Sequence, residues 1–443
     1  MDFLRHVIFV TCPDPIMKTT NSRIFAIVLA TVPALPGVCA GQEASRKSWE
    51  AKTQAVESAQ AHHKDSKEKL NFREENVPDY KLPDPLVSED GKPVKTVEDW
   101  NNIRRPEILD LFRKHVYGIR PETPHEVEFK EVARQENVYG IGAIARQVKA
   151  TITAGKGTLS FDFVLVTPKS DHPVPLVVMI NNRKPVSLQS VVGEANSFWP
   201  AEKLIRRGYA TASFRTSDID PDEGNGYKRG IRALLDAPDS DPMTRWHTLS
   251  AWAWTASRVL DYGLKQPGID PERTAVVGHS RGGKSALWAG AEDLRFKLVY
   301  SNNSGCGGAA LSRRAYGESV ERINNSFPHW FNGNFKTYNG KEGKLPVDQH
   351  QLISLIAPRA VYVASKDLDL WADPRGEYAS LVEAGPVYGL FGIEHITDPV
   401  MPPLDTPRHV GKTGYHILTG THNLDEQDWG HFLDFADSVF KQQ

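Results

Sequence analysis

A mainly parallel α/β fold, one central sheet with helices on both faces, is predicted by three observations. From residue 175 onward, short β-rich runs alternate with helical segments. One of those runs, TAVVGH (274–279), passes through Gly278-His279-Ser280-Arg281-Gly282 straight into a helical pattern. The length, 443 residues with 40% hydrophobic and 24% charged, suits one large α/β domain plus extras.

The elements follow in chain order. From Met17 the sequence reads MKTTNSRIFAIVLATVPALPGVCAGQEA. Lys18 and Arg23 form a basic n-region, Ile24 to Leu35 an apolar h-region, and Val38-Cys39-Ala40 a cleavage site before Gly41. Residues 1–40 are therefore a signal-peptide region starting in earnest at Met17, and the protein is expected to be secreted or periplasmic, with no membrane association once the signal is removed. Cys12 and Cys39 leave with it, so Cys306 has no partner for an internal disulfide and reads as a buried, inert thiol. Residues 41–78 are polar and rich in Ala, Lys and Glu, and are expected to be a flexible leader in which His62 and His63 are solvated.

The main α/β domain is set at 79–443, entered through Pro83 and Pro85. Residues 106–116 carry Ile108, Leu109, Leu111, Phe112 and Val116 at helical spacing, with Pro106 in the first turn. Strands are predicted in 145–154, 159–168, 175–180, 208–214, 274–280, 296–303, 359–365 and 415–422. The runs before residue 175 extend the sheet in antiparallel fashion. Helices are predicted at 248–264 and 433–440. Asp218, Asp220 and Asp222 have the spacing of a calcium loop, but Glu223 and Arg229 stand where such a loop needs Gly and Glu, so this is read as a polar loop without metal. A net charge of −2 gives no reason to expect nucleic acid or an anionic membrane as partner.

G-x-S-x-G between strand and helix is the nucleophile elbow of the α/β-hydrolases, a three-layer α/β/α sandwich. A serine hydroxyl needs a base to take its proton, and the base needs a carboxylate to hold its tautomer. In this fold the chain order is Ser, acid, His, each at a strand's carboxyl end. Ser280 is the candidate nucleophile. His422, in a Gly-Thr-His turn after the last strand, is preferred as base over His416, within the apolar run, and His431, in the final helix. Between them one strand ends in Asn302-Asn303-Ser304, without a carboxylate, and the next in KDLDLWADP. Asp369 is chosen as acid. Asp367 is read as a turn residue and Asp373 as a helix entry, and Asn303 as a neutral group able to orient the imidazole by hydrogen bonding.

Six stretches, GHSRGGK, SNNSGCGGAALSRR, GESVERINNSFPHWF, DQHQLISLIAPRAV, LWADPRGE and THNLDEQDW, together resemble the bacterial glucuronoyl esterases, carbohydrate esterase family 15, over roughly residues 80–440. The resemblance implies an α/β-hydrolase that uses no metal or organic cofactor and cleaves the ester between 4-O-methyl-D-glucuronic acid of glucuronoxylan and a lignin alcohol. It implies that Arg281 helps bind the oxyanion, that Lys284 and Glu318 contact sugar hydroxyls, and that Trp371 lines the sugar site. Many members carry Glu where this chain has Asn303; others place the acid in the loop that holds Asp369. The chain is expected to act as a monomer. The competing readings are an acetyl-xylan or feruloyl esterase, against which Arg281 and Lys284 argue, and a non-catalytic carbohydrate-binding relative.

Overall fold

The computed structural model describes residues 50–440 apart from 184, 193–195 and 238; the signal-peptide reading lies outside them. The strands are β1 (His125–Val138), β2 (Ala143–Ala154), β3 (Gly157–Thr167), β4 (Val174–Asn181), β5 (Ala210–Arg215), β6 (Ile269–His279), β7 (Leu298–Asn302), β8 (Ala360–Lys366), β9 (Arg408–Val410) and β10 (Thr413–Leu418). They form one sheet in the order β1-β2-β3-β5-β4-β6-β7-β8-β10-β9. β5, β4, β6, β7, β8 and β10 pair in parallel, and β1–β3 and β9 add antiparallel margins. The architecture is the α/β-hydrolase sandwich that the sequence predicts.

The central strands serve two cores because alternate side chains point to opposite faces. In β4, Leu176, Val178 and Ile180 enter one cluster while Val177 and Met179 enter the other. The first cluster is closed by α3 (Thr248–Leu264) and α4 (Arg281–Glu292), the second by α6 (Glu426–Phe440). The remaining helices needed below are α1 (Thr53–His62), α2 (Arg105–Phe112) and α5 (Pro374–Glu383). Each fully buried aliphatic side chain contributes about 1.5–3 kcal/mol, which is why Val-, Ile- and Leu-rich runs sit centrally and the polar β1 takes the edge. That edge strand was not predicted: HEVEFKEVARQENV is charged and mostly exposed, a sequence suited to discouraging further pairing.

Chain order reverses around β4: β5 lies on one side and β6 on the other. In open α/β sheets ligands bind outside the strand carboxyl ends at such a switch point. Ser280, directly after β6, stands there.

The leader expectation for residues 41–78 is overturned from residue 50 on. Val56 of α1, Phe72 and Val77 are buried against Tyr316 and Leu370. Tyr316 Oη donates to Phe72 O at 3.0 Å, and Gly317 N–H to Asn71 O at 2.7 Å. Glu68 accepts from Arg322 and Asn325 at 3.0 and 2.9 Å. A few apolar anchors suffice here because the receiving surface is preformed by the main domain. His63 is likewise not solvated: its ring stacks on Trp371 at 4.4 Å and on Phe72 at 5.6 Å between centroids.

Candidate active site

The elbow is built by local sterics. Ser280 has φ 57° and ψ −126°, a conformation costly for a residue with a Cβ. It is held by its N–H donating to Asn302 O at 2.8 Å, and by Gly283 and Lys284 N–H donating to its carbonyl at 2.9 and 3.1 Å. Gly278 permits the close return of α4: a Cβ there would stand 2.0 Å from Gly282 O. The turn presents the hydroxyl above the N-terminus of a twelve-residue helix, whose first N–H groups have no intrahelical acceptor and favour negative charge.

Ser280 and His422 line the same pocket, of about 180 Å³, with Arg281, Lys284, Glu318 and Trp371. His422 Nδ1 is 2.6 Å from Asp369 Oδ2, so Nδ1–H donates to the carboxylate and Nε2 is left as the basic nitrogen. Asp369 is buried at 5% exposure and also accepts from Asn303 Nδ2 at 2.8 Å. Here the structure differs from the expected role of Asn303. Its amide orients the carboxylate, not the imidazole. Asp367 instead accepts the Gly420 N–H at 2.9 Å, as a turn residue, and Asp373 caps α5. Beneath the base lies His279, 4.5 Å from His422 between ring centroids. Burial, and then the neighbouring His422, hold its pKa well below the ordinary histidine value. His416, buried, bonds Asp428 at 2.9 Å and Tyr362 Oη at 2.9 Å, which is a core role.

Arg281 is pinned from three sides. Its guanidinium lies over Trp330 at 4.7 Å and Phe327 at 5.2 Å, and its Nη1 bonds Asp222. Asp222 also accepts from His329 Nε2 at 2.9 Å and Trp330 Nε1 at 2.7 Å. Burial alone would raise this carboxyl, but the hydrogen bonds and the Arg281 charge outweigh it and hold it at about 2. The loop read as merely polar thus carries a partly buried anion that fixes Arg281, while Asp220 pairs with Arg232 in the interior. Asp222→Asn is expected to lower kcat by about 10-fold or more, on the scale of one misplaced oxyanion donor, with a smaller change in KM; steady-state kinetics check it.

Lys284 turns inward. Its Nζ donates to Ser304 O at 2.5 Å and Cys306 O at 2.7 Å and lies 3.6 Å from Glu318 Oε2, so little of the ammonium is free for a ligand until Glu318 shifts its bond. Glu318 is buried, which raises its pKa; Lys284 and a hydrogen bond from Trp371 oppose this. Cys306 is a buried free thiol whose pKa burial pushes well up. Among the described residues no group of three or more His, Cys, Asp or Glu side chains is gathered that could hold a metal ion.

One further carboxyl, Glu377 on α5, was not singled out from sequence. It is buried and accepts N–H bonds from Ser304 and Gly305 at 2.7 and 3.0 Å and the Ser365 hydroxyl at 2.7 Å, so it braces the loop behind Asn303. Burial pushes it up to about 8. The native state therefore keeps a proton that the unfolded chain loses near pH 4.3, and this group makes stability fall as pH rises from about 4.3 to about 8. Glu377→Gln is expected to flatten the decline in Tm between pH 5 and 8; equal slopes in thermal scans would remove this account.

A parallel sheet with a strained serine elbow at its switch point, and a His–Asp pair whose imidazole shares the serine's pocket, is the arrangement of the α/β-hydrolase fold. A family model described as "Glucuronyl esterase, fungi" matches residues 150–392. Carbohydrate esterase MZ0003, from an unknown prokaryotic organism, is 39% identical over 400 residues, 83% of this chain and 91% of that one. The solved glucuronoyl esterase from Solibacter usitatus aligns with TM-score 0.76 at 37% identity, covering 83% of this chain and 100% of the other. A promiscuous CE15 esterase from a marine bacterial metagenome aligns at 0.75 and 37%, covering 83% and 99%. The chain belongs to the glucuronoyl esterase family, carbohydrate esterase family 15, and is a carboxylic ester hydrolase.

Proposed function

We propose that this chain hydrolyses esters of 4-O-methyl-D-glucuronic acid, as carried by glucuronoxylan, with lignin alcohols, through an acyl-enzyme on Ser280. The observation that carries the reading is the shared pocket, in which the buried Lys284–Glu318 pair and Trp371 face the Ser280 elbow. A uronate ring offers hydroxyls for the polar pair and a C–H face for the indole. Relatives such as that of Thermothelomyces thermophilus, 27% identical over 71% of this chain, bear the name 4-O-methyl-glucuronoyl methylesterase.

In the first half-reaction His422 Nε2 takes the Ser280 proton as Oγ bonds the uronoyl carbon. The carbonyl oxygen becomes negative against Arg281 and the N-terminal amides of α4. The ester C–O bond then breaks, and His422 returns the proton to the leaving alcohol. Water, deprotonated by the same imidazole, attacks the acyl carbon, and its proton restores the Ser280 hydroxyl as the uronic acid leaves. Asp369 keeps Nδ1 protonated and stabilises the imidazolium throughout.

Benzyl D-glucuronate should be hydrolysed much faster than its galacturonate epimer, acetylated xylan or methyl ferulate. Preference for either of the last two would replace this reading with the corresponding esterase. No helix among the described residues is long and apolar enough to cross a membrane. On the segment 17–40 the protein is taken to be exported and cleaved before Gly41, which N-terminal sequencing of the secreted material tests. It is taken to act as a monomer.

A further inference from the structure

A groove of about 780 Å³ opens beside the small pocket, and Trp371 and His422 line both. We infer that this groove is the subsite for the alcohol half of the ester, that it takes an aryl-alkyl alcohol, and that α1 builds its outer wall. The inference rests on the esterase reading above and goes beyond it by assigning a role to the N-terminal segment.

Size gives the first reason. A pocket of about 180 Å³ lies below the roughly 300–1,000 Å³ usual for organic ligands and cannot seat both halves of such an ester. Direction gives the second. The imidazole that protonates the leaving oxygen must stand beside it, so the alcohol departs on the His422 side, where the groove continues. Lining chemistry gives the third. Ala55, Ala59, Phe72, Leu368 and Trp371 are apolar, and Leu368 is 44% exposed although it sits next to the acid. The wall is also fixed. Lys52 Nζ reaches Asp367 at 3.4 Å, and His63 is stacked between Phe72 and Trp371. An aromatic ring entering the groove meets His63, Phe72 and Trp371 already stacked on one another as a preformed aromatic wall.

The test compares kcat/KM for benzyl and methyl glucuronate in the full chain and three variants. Ser58→Trp fills the groove from an exposed position of α1, and Leu368→Ala removes its opposite wall. Glu57→Trp puts the same bulk on an exposed α1 position that does not line the groove. The benzyl-to-methyl ratio is expected to fall about fivefold or more in Ser58→Trp and Leu368→Ala and to keep the parent value in Glu57→Trp. An unchanged ratio in the first two overturns the inference. So does an equal fall in Glu57→Trp, which would mark a general disturbance of α1. If the ratio holds while esters carrying a xylo-oligosaccharide slow down, the groove belongs to the carbohydrate chain instead. Failure of the parent to hydrolyse either glucuronate ester is a different result: it removes the esterase reading itself.

Discussion

Ser280→Ala is expected to lower kcat for benzyl glucuronate by on the order of 10⁵-fold. The alanine keeps the elbow, because the turn depends on Ser280 backbone bonds to Asn302, Gly283 and Lys284 and not on its hydroxyl. The pocket's buried polar groups, Lys284 and Glu318, are untouched, so glucuronate binding, measured by calorimetry, stays within a few-fold. What disappears is the only path by which the acyl group becomes covalently attached at this elbow. The residual rate comes from Arg281 and the helix amides acting on water attack. Turnover within tenfold of the parent would mean that the serine is not the nucleophile and would undo the mechanism proposed here.

The second large effect separates two carboxylates two residues apart. Asp369→Asn is expected to lower kcat by roughly 10³–10⁴-fold, because an imidazolium formed in the transition state would lose its anion and the amide would no longer enforce the Nδ1–H tautomer. Asn303 adds to the damage: its Nδ2 donor now faces an amide instead of a carboxylate. Asp367→Asn keeps an acceptor for the Gly420 N–H and loses an ion pair to a Lys52 that is largely exposed, a kind worth about 0–1 kcal/mol. Its kcat stays within a few-fold. Parallel kinetics on the two variants decide the matter, and a larger loss at position 367 would reverse the roles.

The elbow was legible because it is a local device: two glycines around a strained serine carry their own steric reason. Chain order proposes His422 and Asp369, since this fold delivers its groups at successive strand ends, and the structure sets the two 2.6 Å apart with the imidazole in the pocket of Ser280. Asp222 was not legible, because a carboxylate-rich loop looks the same whether it is solvated or folded over the arginine that opens α4. Residues 50–78 misled for a related cause. Their alanines and single Val56 cannot stabilise a helix alone, and the surface that receives them, Tyr316 and Leu370, lies far along the chain. The edge strand β1 escaped because solvent, not a core, dictates its residues.

The pairing of Arg281 with Asp222 and of Lys284 with Glu318 bears on how the cycle ends. Both cations that border the serine arrive already balanced, and Asp369 adds one more negative charge. A neutral ester would meet no net charge from these pairs, and the carboxylate that hydrolysis creates would find both of these cations already answered. Release of that acid is thus favoured by the two pairs and opposed by Arg183, whose guanidinium bonds His279 at 2.9 Å and Asn423 at 3.0 Å.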